Sequence, residues 1–315
     1  MKLPFYLILF ILISFSQAKV PKTHFYGIIE KDIKEHQRTL KLSSSLKNKT
    51  QLFYRHQLNS LPESFSYCGK YHKNNPYKSK SYCIHQTMNQ GECGCCYSMA
   101  LAQLLQIHYT RLTNQYKVFS TQQIIDCSSN YGCSGGWPAE VLQSLRYVVS
   151  EIDYPYELLL LHDKPFNYKG ICQKGMKSLL HIDDYVQVTG PITFDEMKVL
   201  LIEHGPLIGL IYANDQMREY SGGILHLNCS VDVSINHAII IVGYGIDKEN
   251  KDEYIIIRNS WGNSWGEKGY ARLSFNNLCG LNGNSKTVSP TLIYVKTSCL
   301  FSFIIFSFYI PQYIL

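Results

Sequence analysis

The chain has 315 residues, 45% of them hydrophobic and 17% charged, with 24 Tyr and 11 Cys. That composition excludes a disordered, fibrous or multi-span membrane protein and suits one large two-lobed domain, or two small ones, with processed segments. The formal net charge of +6 is local: residues 19–60 hold nine Lys/Arg against three Asp/Glu, whereas residues 61–315 hold 20 against 21, so the main body has no basic stripe for nucleic acid.

In chain order, residues 1–18 join a Lys2 head, an apolar run over 3–15 and a Ser16-Gln17-Ala18 end, the pattern of a secretory signal peptide cut after Ala18. The run is shorter than the roughly 20 residues a membrane span needs. Export makes most cysteines disulfide partners, and their odd number leaves at least one outside an intramolecular bridge. Residues 19–60 contain no Cys and end at Ser60-Leu61-Pro62; their composition allows a linker, an arm or a pro-segment.

Helices dominate the first half of the main body. Over residues 97–109, Leu101, Leu104, Leu105 and His108 share one helical face; Ser120 precedes a second helix, and Pro138 opens a third. In the second half, residues 237–243, 253–258 and 270–275 read as strands. One helix interrupts them, started by a Thr193/Glu196 capping box and ended by Gly205. Glycosylation sequons occur at Asn48-Lys49-Thr50 and Asn228-Cys229-Ser230; the first is the expected acceptor, since a bridged Cys229 would restrict the second. The tail, 296–315, is apolar from Leu300. As a helix its last 16 residues would reach only about 24 Å, short of the ~30 Å hydrocarbon core, and Pro311 weakens it further. Lys296-Thr297-Ser298-Cys299 is too short a spacer for a lipid-anchor signal. Membrane association through the tail stays open, and the preceding lobes are expected to fold in a chain ending at Val295.

Three islands carry chemistry. Asn89-Gln90-Gly91-Glu92-Cys93-Gly94-Cys95-Cys96-Tyr97 runs into the first helix, where the positive end of the helix dipole favours thiolate and makes Cys96 the reactive candidate. Asn236-His237-Ala238 starts a strand, and Arg258-Asn259-Ser260-Trp261-Gly262-Asn263-Ser264-Trp265-Gly266 follows another. A base needs a third group to orient it, so His237 held by the Asn259 amide would complete a Cys–His–Asn set. Separations of 141 and 163 residues from Cys96 require the two halves to meet across a cleft. Taken singly, the cysteines could instead be a soft-metal cluster, the histidine a core residue and the asparagine a turn.

Together these islands resemble the papain family of cysteine proteases, cathepsin-like enzymes included, over about residues 61–295. Asp126-Cys127, Gly132-Cys133-Ser134-Gly135-Gly136, Tyr154-Pro155-Tyr156, Tyr220-Ser221-Gly222-Gly223 and Gly243-Tyr244-Gly245 occur in that family's order. The resemblance implies an α+β, two-lobed fold: a helical left lobe and a β-barrel-like right lobe with the active-site cleft between them. It implies an endopeptidase with Cys96 as nucleophile, His237 as base and acid, Asn259 as orienter, Gln90 in the oxyanion hole and Trp261 as a shield. Gly135 and Gly136 would line the cleft, and Trp137, Pro138, Leu210, Ala238 and Asn284 the S2 subsite. The family pattern pairs Cys93 with Cys133, Cys127 with Cys172 and Cys229 with Cys279; Cys68 and Cys83, outside that pattern, flank a polar stretch that a fourth bridge would close. No cofactor or metal is implied. Protein and peptide substrates, a monomer, and a 19–60 propeptide acting as inhibitor are, with a lysosomal, vacuolar or extracellular destination.

Some residues depart from the pattern. Ser66-Tyr67-Cys68 stands where Asp-Trp-Arg is usual, Cys95 replaces a small Ser beside the nucleophile, and Tyr97 replaces Trp, as in the cathepsin C-like branch. The 42 residues after the signal are too few for that branch's exclusion domain, and no occluding loop of the cathepsin B type lies between Trp137 and Tyr154. Cys95 beside the nucleophile and the altered Ser66-Tyr67-Cys68 stretch motivate one alternative, a catalytically inactive papain-like binding module.

Overall fold

The structure, a computed structural model, describes residues 61–69, 81–157, 170–188, 191–230, 233–281 and 292–299. The expected signal peptide, the 19–60 segment, Asn48, Asn284 and the tail from Leu300 onward lie outside them.

Helix α1 (Cys96–Thr113) runs through the centre and ends at Asn114 in the left-handed region, φ 60°. It starts one residue before the expected position, and Cys96 through Thr110 are all buried, so no solvent face accompanies the Leu101/Leu104/Leu105/His108 face. Its polar residues find partners inside: Ser98 Oγ donates to the Thr121 carbonyl at 2.8 Å and Gln106 Nε2 to that of Tyr82 at 2.9 Å. Helices α2 (Thr121–Cys127) and α3 (Pro138–Ser144) pack beside it, the first capped by Ser120 Oγ accepting from Gln123 N and the second opened by Pro138. Helix α4 (Phe194–His204) carries the Thr193/Glu196 capping box and stops at Gly205, φ 97°. A single turn, α5 (Asp215–Arg218), completes the α-helices of the described residues, and Gly132–Ser134 form a 3₁₀ turn.

Among the described residues nine strands form one sheet: β1 (Phe65–Ser66), β2 (Tyr147–Val148), β3 (Leu180–Val188), β4 (Leu207–Ile211), β5 (Ile224–Leu225), β6 (His237–Ile246), β7 (Glu253–Arg258), β8 (Tyr270–Ser274) and β9 (Leu292–Ser298). Their order is β2-β3-β9-β4-β6-β7-β8-β5, with β1 added on β6; the expected barrel-like lobe is therefore an open sheet. Strand β6 serves both sides of it. Ala238, Ile240 and Val242 join the core that contains α1, whereas Ile239 and Ile241 join the core beneath α4, the alternation a pleated strand requires. A bulge between Ile241 and Gly243 then changes the parity, and Tyr244 lies in the α4 core. Gly243 has to be glycine: a β-carbon there would stand 2.3 Å from the Phe65 carbonyl oxygen of β1.

Strand β9 continues past the expected boundary at Val295, since Lys296, Thr297 and Ser298 pair with Asp184, Ile182 and His181 of β3. Disulfides join Cys68 to Cys83, Cys93 to Cys133, Cys127 to Cys172 and Cys229 to Cys279. The lobes are also tied by Arg258. It is 2% exposed at the end of β7, and its Nη2 donates to the carbonyls of Ile84 at 3.1 Å and Gln86 at 2.8 Å.

Candidate active site

Cys96 is the first residue of α1, and no side chain of the preceding Cys95 caps the helix. Its thiol lies outside the four bridges, as do those of Cys95 and Cys299. The strand that begins with His237 packs along this helix. Asn259 follows β7, the next strand over, and its Oδ1 lies 2.8 Å from His237 Nε2. The same oxygen accepts from the Ser260 backbone N–H at 2.8 Å. That second bond fixes the amide: turned over, its NH₂ would face a donor. With Oδ1 toward the ring, Nε2 must carry the hydrogen, and the neutral imidazole keeps its lone pair at Nδ1. Nδ1 is buried and has no hydrogen-bond partner. The site therefore offers a base of defined tautomer.

Trp261 covers the ring, with centroids 4.8 Å apart and planes 26° apart, and is itself braced edge-on by Trp265 at 5.2 Å. Burial pushes His237 down from 6.5 to about 4, the Asn259 bond opposing it. A nearby negative charge would raise it again. The neighbouring Cys95 goes the other way, its thiol pushed up to about 12 mainly by burial. Burial thus disfavours its thiolate, and its Sγ lies 3.2 Å from the Tyr156 hydroxyl.

Gln90 links the first island to the third. Its backbone N–H donates to the Ser260 carbonyl at 2.9 Å, its Oε1 accepts from Ser260 Oγ at 2.6 Å, and its Nε2 donates to the Cys93 carbonyl at 3.0 Å. Gly262 N–H reaches the Met88 carbonyl at 2.9 Å, so the two loops run as a short ladder. Tyr156 adds a bond from its hydroxyl to the Gln90 carbonyl at 3.3 Å. Ser260 and Tyr156 lie within family motifs without an expected role of their own; the sequence holds no sign that residues 170 and 66 positions apart would pair.

A profile of papain family cysteine proteases matches residues 73–289. The chain belongs to this family. It is 33% identical to fruit bromelain of Ananas comosus over 208 residues, 63% of this chain and 55% of that protein, so the chain spans about half the length of this curated relative. The solved structure of bromelain from Ananas comosus in complex with the E64 inhibitor superposes with TM-score 0.59 at 25% identity, covering 75% of this chain and 99% of that one. The proform of Amb a 11, a ragweed pollen cysteine protease, gives 0.58 at 26% identity over 75% and 65% of the two chains.

In this papain-family chain the residues expected to bind substrate are buried, Asn284 lying outside the described ones. Leu210 and Ala238 face each other across β4 and β6, and both share a core with Trp137 and Cys96. All four are 2% exposed or less, and Pro138, Gly135 and Gly136 are buried too. Gly135 has φ 119° and its carbonyl accepts from Tyr131 N–H at 3.1 Å. Gly136 fits over Asn130, whose Oδ1 would be 2.4 Å from a β-carbon there and accepts from Trp137 N–H at 2.6 Å.

Proposed function

We propose that the chain is a cysteine endopeptidase of the secretory pathway, made as a zymogen whose 19–60 segment inhibits it until removed. The observation that carries the reading is the His237–Asn259 bond with its amide locked by Ser260, because it leaves Nδ1 of a buried imidazole as the base. Thiol-to-imidazole proton transfer gives a Cys96 thiolate at the helix N-terminus and a His237 imidazolium, each charge stabilising the other against the burial that otherwise keeps the ring neutral. The thiolate attacks the scissile carbonyl. The oxyanion is met by the Cys96 backbone N–H and the Gln90 amide, and His237 then gives its proton to the leaving amine. Water hydrolyses the thioester, with His237 again the base. Cys96 and His237 are fully buried here, so a peptide reaches them only after the covering residues part.

The S2 subsite proposed from Trp137, Pro138, Leu210 and Ala238, with Asn284 near its floor, has one polar residue and no charged one, so an apolar residue should be preferred there over Arg. The proform of the ragweed enzyme supports a latent precursor, and no observation favours the inactive binding module. Incubation of the matured protein with E64 tests the reading. One inhibitor per chain should attach in the wild type and in Cys95→Ser, and none in Cys96→Ser. Labelling that survives Cys96→Ser, or is absent from an otherwise folded and processed wild type, would refute it.

A further inference from the structure

We infer that the chain has a second binding site, for a small organic anion with a phosphate or carboxylate end and a flat body, at the opposite end of α1 from Cys96. His108 follows Cys96 by 12 residues, which is about 18 Å along the helix axis, so this site is separate from the cleft. A cavity of about 350 Å³ opens there between the end of α1, the end of α4 and β9. That is within the size range of small-molecule sites.

Two polar groups at the cavity are left over by the fold. Arg111 has no carboxylate partner among the described residues; its guanidinium lies 4.9 Å from the centre of the Tyr67 ring, which holds it in place. His108 is 7% exposed, and its Nε2 has no hydrogen-bond partner. Its Nδ1 is 3.3 Å from Thr297 Oγ1. Both groups come up to Gly205, where a β-carbon would be 2.5 Å from Arg111 Nη1 and 3.0 Å from His108 Nε2. An unneutralised guanidinium, with Lys296 on the same cavity and an unused imidazole nitrogen beside it, can receive an oxyanion.

The remaining walls define the body of the ligand. His204 and Tyr294 stack with centroids 3.9 Å apart and planes 6° apart, a flat surface at the cavity edge, and Leu112 adds an apolar one. Lys296 brings a second positive charge, shared with Asp184 at 3.2 Å. Against these stands one lining carboxylate, Glu203, 3.8 Å from His204 Nε2. The balance favours an anion.

Calorimetric titration of the full chain with phenyl phosphate, and with inorganic phosphate for comparison, tests the site. Phenyl phosphate should bind saturably and more tightly than inorganic phosphate. Loss of charge-assisted bonds in Arg111→Gln should weaken it about tenfold or more. Glu203→Gln should tighten it, and Cys96→Ser should leave it unchanged. No saturation by about 10 mM, unchanged affinity in Arg111→Gln, or loss of binding in Cys96→Ser would overturn the site. Should Arg111→Gln fail to fold, Glu203→Gln decides alone, since unchanged or weaker binding there contradicts an anion facing that carboxylate.

Discussion

The chemistry at single residues turns on how few bonds hold the reacting groups. Removing an oxyanion donor typically lowers turnover by about 10²–10³, so Gln90→Ala should reduce kcat by that factor while the far-ultraviolet circular dichroism stays native. A kcat within a few-fold of wild type would remove Gln90 from the oxyanion hole. Buried histidines give a second expectation. Burial lowers His237 to about 4 and His108 to about 3, the latter also through Arg111, so between these values and the ordinary 6.5 the unfolded chain binds more protons than the folded one. Stability must then rise with pH across that window and fall on acidification below about 6.5. Urea midpoints should drop steadily from pH 7 to pH 4 in wild type and less steeply in His108→Phe; equal slopes would mean that His108 is not held neutral. Cys96, His237 and Asn259 can be picked out of the sequence because each begins or follows an element whose pattern is plain. Ser260, which locks both Asn259 and Gln90, cannot: a serine in an Asn-Ser-Trp-Gly turn looks like any turn residue until the chain brings residue 90 beside it.

Among the elements, local signals are the most legible. Thr193 and Glu196 satisfy each other's backbone donors at the start of α4, with Thr193 N to Glu196 Oε2 at 2.8 Å and Glu196 N to Thr193 Oγ1 at 3.2 Å. Thr193→Ala should therefore cost about 1 kcal/mol, read as a lower urea midpoint with an unchanged slope; no change would mean that water replaces the cap fully. Helix α1 shows the limit of such reading. Gln103, Gln106 and Thr110 mark a polar face that in an isolated helix would meet water, yet here they are buried. Gln106 alone serves the Tyr82 carbonyl, the Ile84 N–H at 3.3 Å and Arg258 Nη1 at 3.5 Å. Periodicity records which side chains are apolar. It does not record that segments distant in the chain, Tyr82 and Ile84 before the helix and Arg258 after it, will supply partners for the polar ones, and this is why the helix is legible while its burial is not.

At the scale of the whole molecule, the lobes are joined by polar contacts at the cleft and by β9 at the back. The resemblance to the papain family ends near Val295, and that places the end of the folded region there, before the apolar tail. Strand pairing contradicts that boundary: these residues extend the ladder on β3, Thr297 Oγ1 lies 3.3 Å from His108 Nδ1, and Lys296 pairs with Asp184 at 3.2 Å. The exposed ion pair contributes little, but the ladder bonds and the contact to a buried ring on α1 connect the right-lobe sheet to the central helix. At about 1 kcal/mol per hydrogen bond, a chain ending at Val295 should be less stable than one ending at Cys299 by about 2–3 kcal/mol. The chain ending at Cys299 should match the full chain, because the ladder on β3 closes at Ser298. Urea unfolding of the three lengths distinguishes the cases. A chain ending at Val295 as stable as the full chain would show that the last three positions of β9 add nothing to the union of sheet and helix.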